Sequence, residues 1–428
     1  MQILGIINFV IGIIFTLCYF YQFIFLIIAY VGKRESIPDA EPRKIAVLIA
    51  ARNESRVIHN LLESLNAQDY PKDKYTVFLV ADNCTDNTAE IARQHGATVY
   101  ERFNQIEKGK GYAIDYLIKC IERDFGDDFC DAYIVFDADN VAEKNYITEI
   151  NKTYALGYEV VTSYRNASNY GANWRAAGQG MFFLRESRVL NLARMRVGAN
   201  SYVMGTGFLF SRAICKQYGG WPFHCLTEDG EFTMENVVNG VKTGYCNTAM
   251  FYDEQATSPK VSWNQKLRWC KGGLQIYKKY CGALFKGLFS KKAFSFFDMT
   301  MCLNAAYFIS MSAVVINVVA DIIIIALGCN DLLGLFFTQA WMVLMAYAML
   351  MVFSLMITFS EWRYIQASGP KKFFYSFIFP IFLFSFIPAA FVALFKKVEW
   401  KQIDHKGSGG QIVSAETEKR EEKAPLMK

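Results

Sequence analysis

The chain lacks any regular array of cysteines. Its 11 cysteines follow no paired spacing, which argues against a disulfide framework. No CxxC pair and no His/Cys cluster occurs, so the spacings that hold zinc are missing. A strong charge of one sign is missing too. The 45 Lys and Arg residues stand against 40 Asp and Glu, a net charge of +5, and nothing in that balance points to nucleic acid. The basic residues gather instead beside apolar segments, at Lys291-Lys292, Lys371-Lys372 and Lys396-Lys397. No Walker phosphate loop is present.

Charge is absent from whole stretches as well. Residues 3–31, 332–359 and 373–395 carry no charged side chain, and 299–327 carry only Asp321. With 53% hydrophobic residues, this excludes a wholly soluble chain. About 20 helical residues cross a hydrocarbon layer roughly 30 Å thick, so each stretch predicts a span. Residues 3–31 lack a basic leader and a small-residue cleavage site and exceed a signal-peptide core, which predicts a retained anchor. Lys33 and Arg34 follow, and the positive-inside rule then places the start outside and the large middle portion in the cytosol. Pro380 and Pro388 allow the last segment to be a re-entrant hairpin instead of a full crossing. Asn304, Asn317 and Asp321 fall at membrane depth, where polar side chains face a cavity or a partner. The polar, charge-rich residues 406–428 predict a disordered tail.

Residues 35–261 predict an α/β domain. The runs 44–50 (KIAVLIA), 75–81 (YTVFLVA) and 132–136 (AYIVF) are short, apolar and rich in β-branched residues, as buried parallel strands are. Helical patterns at 54–67, 87–95 and 110–123 alternate with them, which predicts a doubly wound sheet. Such sheets bind ligands at the carboxyl ends of their strands. Glu54, Asp82, Asp137 and Asp139 each follow a predicted strand, so all lie on one rim. Residues 262–292 mix basic side chains with an apolar face, suiting either a helix in the membrane interface or a surface helix of the domain.

Several fragments carry chemistry. Asp137-Ala138-Asp139 offers two carboxylates to a divalent cation, or simply makes a solvated turn. Asp82 follows its strand directly and is placed to accept from a base or ribose, whereas Asp86 is read as a cap for the next helix. Lys108-Gly109-Lys110-Gly111 opens a helix with backbone room and phosphate charge. Thr227-Glu228-Asp229-Gly230-Glu231 supplies a general base, or a solvated acidic helix start. Gln265-x-x-Arg268-Trp269 joins an amide, a fixed cation and an aromatic face on which sugars stack, or is part of a basic interfacial helix.

Together these fragments resemble the processive family 2 glycosyltransferases of membranes, the cellulose, hyaluronan, chitin and poly-N-acetylglucosamine synthase group. The resemblance runs from about Lys44 to Tyr280 and adds Gly205-Thr206-Gly207 in the family's order. It implies a GT-A-type α/β catalytic domain with transmembrane helices, in the plasma membrane with the catalytic domain cytosolic. The domain limits expected are 1–34 (anchor), 35–261 (catalytic), 262–292 (QxxRW and interfacial helix), 293–397 (about three spans) and 398–428 (tail).

The resemblance also implies roles. Glu54 and Asp82 would hold uridine, with Lys110 near the nucleotide, and Asp137 and Asp139 would bind the diphosphate through Mg2+ or Mn2+. Asp229 would be the base. Gln265, Arg268 and Trp269, with Glu228, would position the acceptor end and steady the leaving UDP. Gly205, Thr206 and Gly207 would line the acceptor pocket. Glu231 and Asp86 would be bystanders. The expected reaction is a single in-line displacement that builds a β-glucan from UDP-glucose and exports it. Poly-N-acetylglucosamine, chitin or hyaluronan synthesis, or a single transfer to a lipid carrier, are the alternatives. The family's paired aspartates read Ala81-Asp82 here, and no added regulatory domain is seen, so such control would need another protein. Trp400-Lys401-Gln402-Ile403-Asp404-His405 resembles a segment that similar synthases keep near the cytosolic site, which four full crossings would place outside.

Overall fold

The computed structural model describes residues 2–31 and 37–399; Lys33, Arg34 and the segment 400–405 lie outside the described residues. The three predicted strands form as β1 (Ile45–Ala51), β2 (Tyr75–Asp82) and, beyond β3 (Thr98–Arg102), β4 (Ala132–Asp137). They join β5 (Val141–Ala142), β6 (Val160–Ala167), β7 (Phe208–Ser211) and β8 (Thr243–Asp253) in one sheet of order β3-β2-β1-β4-β7-β6-β8-β5. The sheet is mixed and not purely parallel: β7 runs antiparallel to both β4 and β6, and β5 to β8. Six strands therefore share a direction, and β7 begins at the rim where they end.

Alternation sorts the strand residues between two layers. On one face Ile45, Val47 and Ile49 of β1 pack with Ile58, Leu61, Leu62 and Leu65 of the Ile58–Asn66 helix and Ile147 and Ile150 of the Tyr146–Ala155 helix. On the other, Ala46 and Leu48 pack with Ile114, Leu117, Ile118 and Ile121 of the Lys110–Phe125 helix, whose spacing is that of one helical stripe. The first helix begins at Ile58, four residues later than expected from Glu54, because Asn53 adopts a left-handed conformation (φ +54°). Its Oδ1 accepts from the backbone N–H of Thr85 at 2.7 Å, tying the ends of β1 and β2 together.

Among the described residues four helical segments are long and apolar enough to cross a membrane: Leu4–Val31, Ala306–Ala326, Leu332–Ser360 and Gly369–Phe395. Within the last, Pro380 lies inside the Gly369–Phe384 helix and the interruption falls at Ser385. Ser385 keeps right-handed helical dihedrals (φ −66°, ψ −10°), so the chain does not reverse there and the hairpin that the prolines allowed does not form. Asp321 accepts both hydrogen bonds from Gln339 Nε2 on the next segment, at 3.1 and 3.0 Å, and Asn317 donates to Ala313 O.

The apolar segments share a core with the sheet domain. Phe353, Ile357, Phe379 and Phe382 pack with Tyr164, Met181, Leu190 and Leu267. The Pro259–Gly287 helix lies between, starting earlier than residue 262 because Pro259 is fit for a first turn. Its basic residues divide. Lys278, Lys279 and Lys286 are exposed, while Lys266 is buried and donates to Ser385 Oγ, and Lys271 donates to Ala393 O.

A buried ion pair closes the junction. Arg194 donates to both oxygens of Asp298, neither side chain is exposed, and Tyr21 Oη of the first apolar segment donates to the same carboxylate. Removing one partner strands the other charge. Asp298→Ala should therefore lower stability by about 3–5 kcal/mol, and Arg194→Met/Asp298→Leu by much less. Thermal unfolding of the detergent-solubilised protein tests this; equal losses in both variants would show that packing, not the stranded charge, sets the cost.

Candidate active site

Along the rim where six strands end, one cavity of about 1550 Å³ opens. Its wall includes Glu54, Asp82, Lys110, Asp137, Asp139, Gly205, Glu228, Asp229, Gln265, Arg268 and Trp269. Fragments more than 200 residues apart in the chain thus meet in one cleft.

Thr206 and Gly207 are the exceptions, and the expectation that they line a pocket is corrected. Thr206 is 1% exposed. Its Oγ1 accepts from the backbone N–H of Asp137 at 2.8 Å and donates to Asn140 Oδ1, so it fixes the turn that presents Asp137. Gly207 has φ +61°, and a Cβ there would sit 2.1 Å from the Phe251 ring. Both serve the wall from behind, because β7 leaves the rim just after Gly205.

Lys110 stands at the centre of the charges. Its ammonium donates to Asp137 Oδ1 and to the carbonyl of Gly205, with Glu228 Oε1 4.0 Å away. Burial raises the pKa of Glu228, with the like charge of Asp229 adding to it and Lys110 opposing. Burial likewise raises Asp229, opposed by the Gly230 backbone N–H and by Lys110 and Arg268. Arg268 is oriented by donation to Leu226 O at 2.9 Å. The acidic loop can approach its helix because Gly272 has no side chain; a Cβ there would sit 2.3 Å from Thr227 Oγ1.

At the end of β2 Asp82 is 5% exposed and accepts from Arg102 Nη1 at 2.7 Å and from Asn83 Nδ2. Its carboxylate is thus already matched by a guanidinium, which holds it at the cleft wall. The two expected bystanders have structural work. Asp86 accepts from Thr88 and Ser55 at the start of the Thr88–Gln94 helix. Glu231 accepts from the backbone N–H groups of His224 and Cys225 and from Lys279.

Among the wall residues that escaped the sequence reading are Arg165 and Asp253. Arg165, near the end of β6, donates through Nε and Nη2 to Asp253 Oδ2 at the end of β8 and through Nη1 to Met204 O. Its guanidinium lies 3.5 Å from the Phe183 ring centroid, and Arg165 and Asp253 both line the cavity. A charge that follows an apolar run flagged Asp82 and Asp137, and the same signal stands in 160–165 (VVTSYR) and 249–253 (AMFYD).

Residues 42–272 match the family model described as Glycosyltransferase like family 2. A beta-monoglucosyldiacylglycerol synthase of Synechocystis sp. is 26% identical over 253 residues, 58% of this chain and 51% of that protein. A poly-beta-1,6-N-acetyl-D-glucosamine synthase of Staphylococcus aureus is 21% identical over 259 residues, 57% of this chain and 58% of that protein. The chain thus spans little more than half the length of the curated relatives it matches. Among solved structures, a mannosyltransferase from Pyrobaculum calidifontis in complex with GDP-Man and Mn2+ superposes with a TM-score of 0.61 at 15% identity, over 92% of this chain and 99% of that one. That likeness shows the fold, a GT-A-type α/β domain with its apolar helices.

The two glycines of the 205–207 turn should differ in tolerance. Gly205 (φ +80°) has room, its Cβ position meeting nothing closer than 3.5 Å, whereas Gly207 meets Phe251. Gly205→Ala should cost about 1–2 kcal/mol for the left-handed backbone alone. Gly207→Ala should cost that and about 1–3 kcal/mol more for overpacking. Unfolding midpoints of the two variants, compared in one detergent, decide it; equal shifts would remove Phe251 from the argument.

Proposed function

The chain belongs to glycosyltransferase family 2, and on that premise we propose that it is an inverting β-glycosyltransferase drawing on a UDP-sugar. The observation that carries the reading is the convergence of Asp229, Lys110, Asp137, Asp139 and Arg268 on one cleft. Glu54 and Asp82 hold the nucleoside end. Asp229 accepts the proton of the acceptor hydroxyl, a group that needs a base within hydrogen-bond reach. Arg268, fixed by Leu226 O, faces the diphosphate as it leaves. With Asp229 as the one base in this reading, a single in-line displacement inverts the anomeric centre.

The residues fit a divalent cation such as Mg2+ or Mn2+. Asp137 and Asp139 supply hard oxygens at the end of β4, and the Lys110 ammonium already sits as a cation beside Asp137 Oδ1. Among the described residues no three His, Cys, Asp or Glu side chains converge as a complete cage. Asp137 and Asp139 would be the residues that hold such an ion. Such an ion would supply charge for the departing diphosphate.

The finer reading is repeated transfer by a multi-pass plasma-membrane protein with a cytosolic catalytic domain, giving a β-1,4 or mixed-linkage glucan from UDP-glucose. Supporting it are the QxxRW helix beside the base, Trp269 on the cavity wall and four segments fit to span. N-acetylglucosamine is the nearest competitor as the sugar, and a relative's name mentions it. Asp321, bonded to Gln339, is not on the cavity wall, so we give it no part in export.

Radiolabelled UDP-glucose and UDP-N-acetylglucosamine, offered in parallel with Mg2+ or Mn2+, should give long product from one donor; short organic-soluble product would replace elongation by single transfer. Asp229→Asn should lower turnover by about 10²–10⁴-fold with UDP affinity kept, and retained turnover would move the base to another group. Asp139→Ala should weaken donor binding only when metal is present.

The pH dependence has a sign. The base works ionised and its pKa is raised by burial, so kcat/KM should fall as pH drops, with its midpoint above the ordinary aspartate value of about 3.9. A profile flat down to about pH 4 would rule out Asp229.

A further inference from the structure

The cavity does not end at the polar cleft. It continues between the apolar segments, where Phe9, Phe15, Val314, Met342, Met345 and Phe353 line it. At the transition Trp269 lies parallel to Phe182 and to Phe386, ring centroids 6.1 Å apart in each pair, and Phe386 stacks on Tyr307 at 4.4 Å. Beyond this aromatic collar no charged side chain of the four segments reaches the wall.

Four hydroxyls on that wall spend their proton on backbone carbonyls. Thr16 donates to Gly12 O, Ser310 to Ala306 O and Thr338 to Gly334 O, each one turn back along its own helix. Tyr19 Oη donates to Met301 O. A sugar chain needs a succession of outward donors and acceptors, because burying unpaired hydroxyls costs a few kcal/mol each. Among the described residues Asn8 breaks this pattern, both of its amide atoms being buried without a partner, and Gln22 and Tyr307 add further polar groups to the wall. The wall otherwise suits hydrocarbon. It also opens sideways, since Phe9 of the first segment and Trp341 of the third line the chamber and are 68% and 62% exposed.

We propose that this chamber is a hydrocarbon-chain site for the acceptor: an amphiphile enters between the first and third segments, seats its acyl chain there, and presents its hydroxyl past the Trp269 collar to Asp229. The inference rests on the transferase reading of the cleft and names the acceptor class for that same site. The acceptor oxygen forms its bond to the anomeric carbon as the bond from that carbon to the diphosphate oxygen breaks. The hydroxyl proton passes to Asp229, and the electron pair leaves with UDP. Further sugars, where they are added, are then added to a lipid-held chain.

The test offers purified full-length protein a homologous series of monoalkyl glycerols and, separately, a water-soluble β-linked oligosaccharide, with UDP release and product both measured. Wild type should show KM for the alkyl glycerol falling by up to about fourfold per methylene, the equivalent of about 0.8 kcal/mol, until the chamber is full. Ala313→Phe and the milder Ala346→Leu, both on the chamber wall, should flatten that dependence and leave donor KM unchanged, which also verifies folding. A diazirine at the chain end of an alkyl glycerol should label Ala306–Ala326 peptides in wild type and not in the filled variants.

Efficient use of the soluble oligosaccharide, with no chain-length dependence and no labelling, overturns the chamber while leaving the transferase reading intact. No UDP release with any donor and acceptor overturns the transferase reading, and the chamber is then decided by the photolabelling alone.

Discussion

A buried ammonium makes the cleft feasible. Asp137, Glu228 and Asp229 would repel one another in a space screened from water, and burial alone already raises the pKa of the last two. Lys110 opposes this from the first turn of its helix, joining Asp137 at the end of β4 to the carbonyl of Gly205 before β7. It thereby ties three separate stretches of chain to one point. Gly111 follows because the backbone of Phe223 passes so close that a Cβ would lie 2.0 Å from its carbonyl oxygen. The position of the cation and the approach of the loop leading to Glu228 are therefore set together.

How much of this was legible follows from how local each signal is. β1, β2 and β4 are continuous apolar runs, and a buried parallel strand has to be one; the carboxylates after them fell on the rim as strand direction requires. The long apolar helices were legible for a similar reason, since they follow stretches of 20 or so residues with almost no charge. β7 was not legible. Four residues long and antiparallel to β4, it owes its place to neighbours distant in sequence, and its reversed direction is why Gly205 reaches the cleft while Thr206 and Gly207 fall behind. The partners of Asp82 and Asp321 were hidden likewise. Arg102 lies 20 residues from Asp82 and Gln339 18 residues from Asp321, and no local periodicity links either pair.

The Pro259–Gly287 helix then explains why the two halves act as one. Its Leu267 and Cys270 enter the core shared with the apolar segments, while Ile276 and Tyr280 pack with Met234 and Val237 of the Glu228–Val238 helix, whose first turn carries Asp229. Arg268 and Trp269 are adjacent in sequence, and adjacent helical residues point about 100° apart. One therefore meets Leu226 in the acidic loop while the other meets Phe386 in the last apolar segment. A shift of this helix moves the Arg268 guanidinium and the aromatic collar together. Donor end and acceptor end thus cannot be tuned separately by moving the helix, and change on either side has to come from side chains facing away from it, such as Arg165 in the polar cleft or Met345 in the apolar chamber.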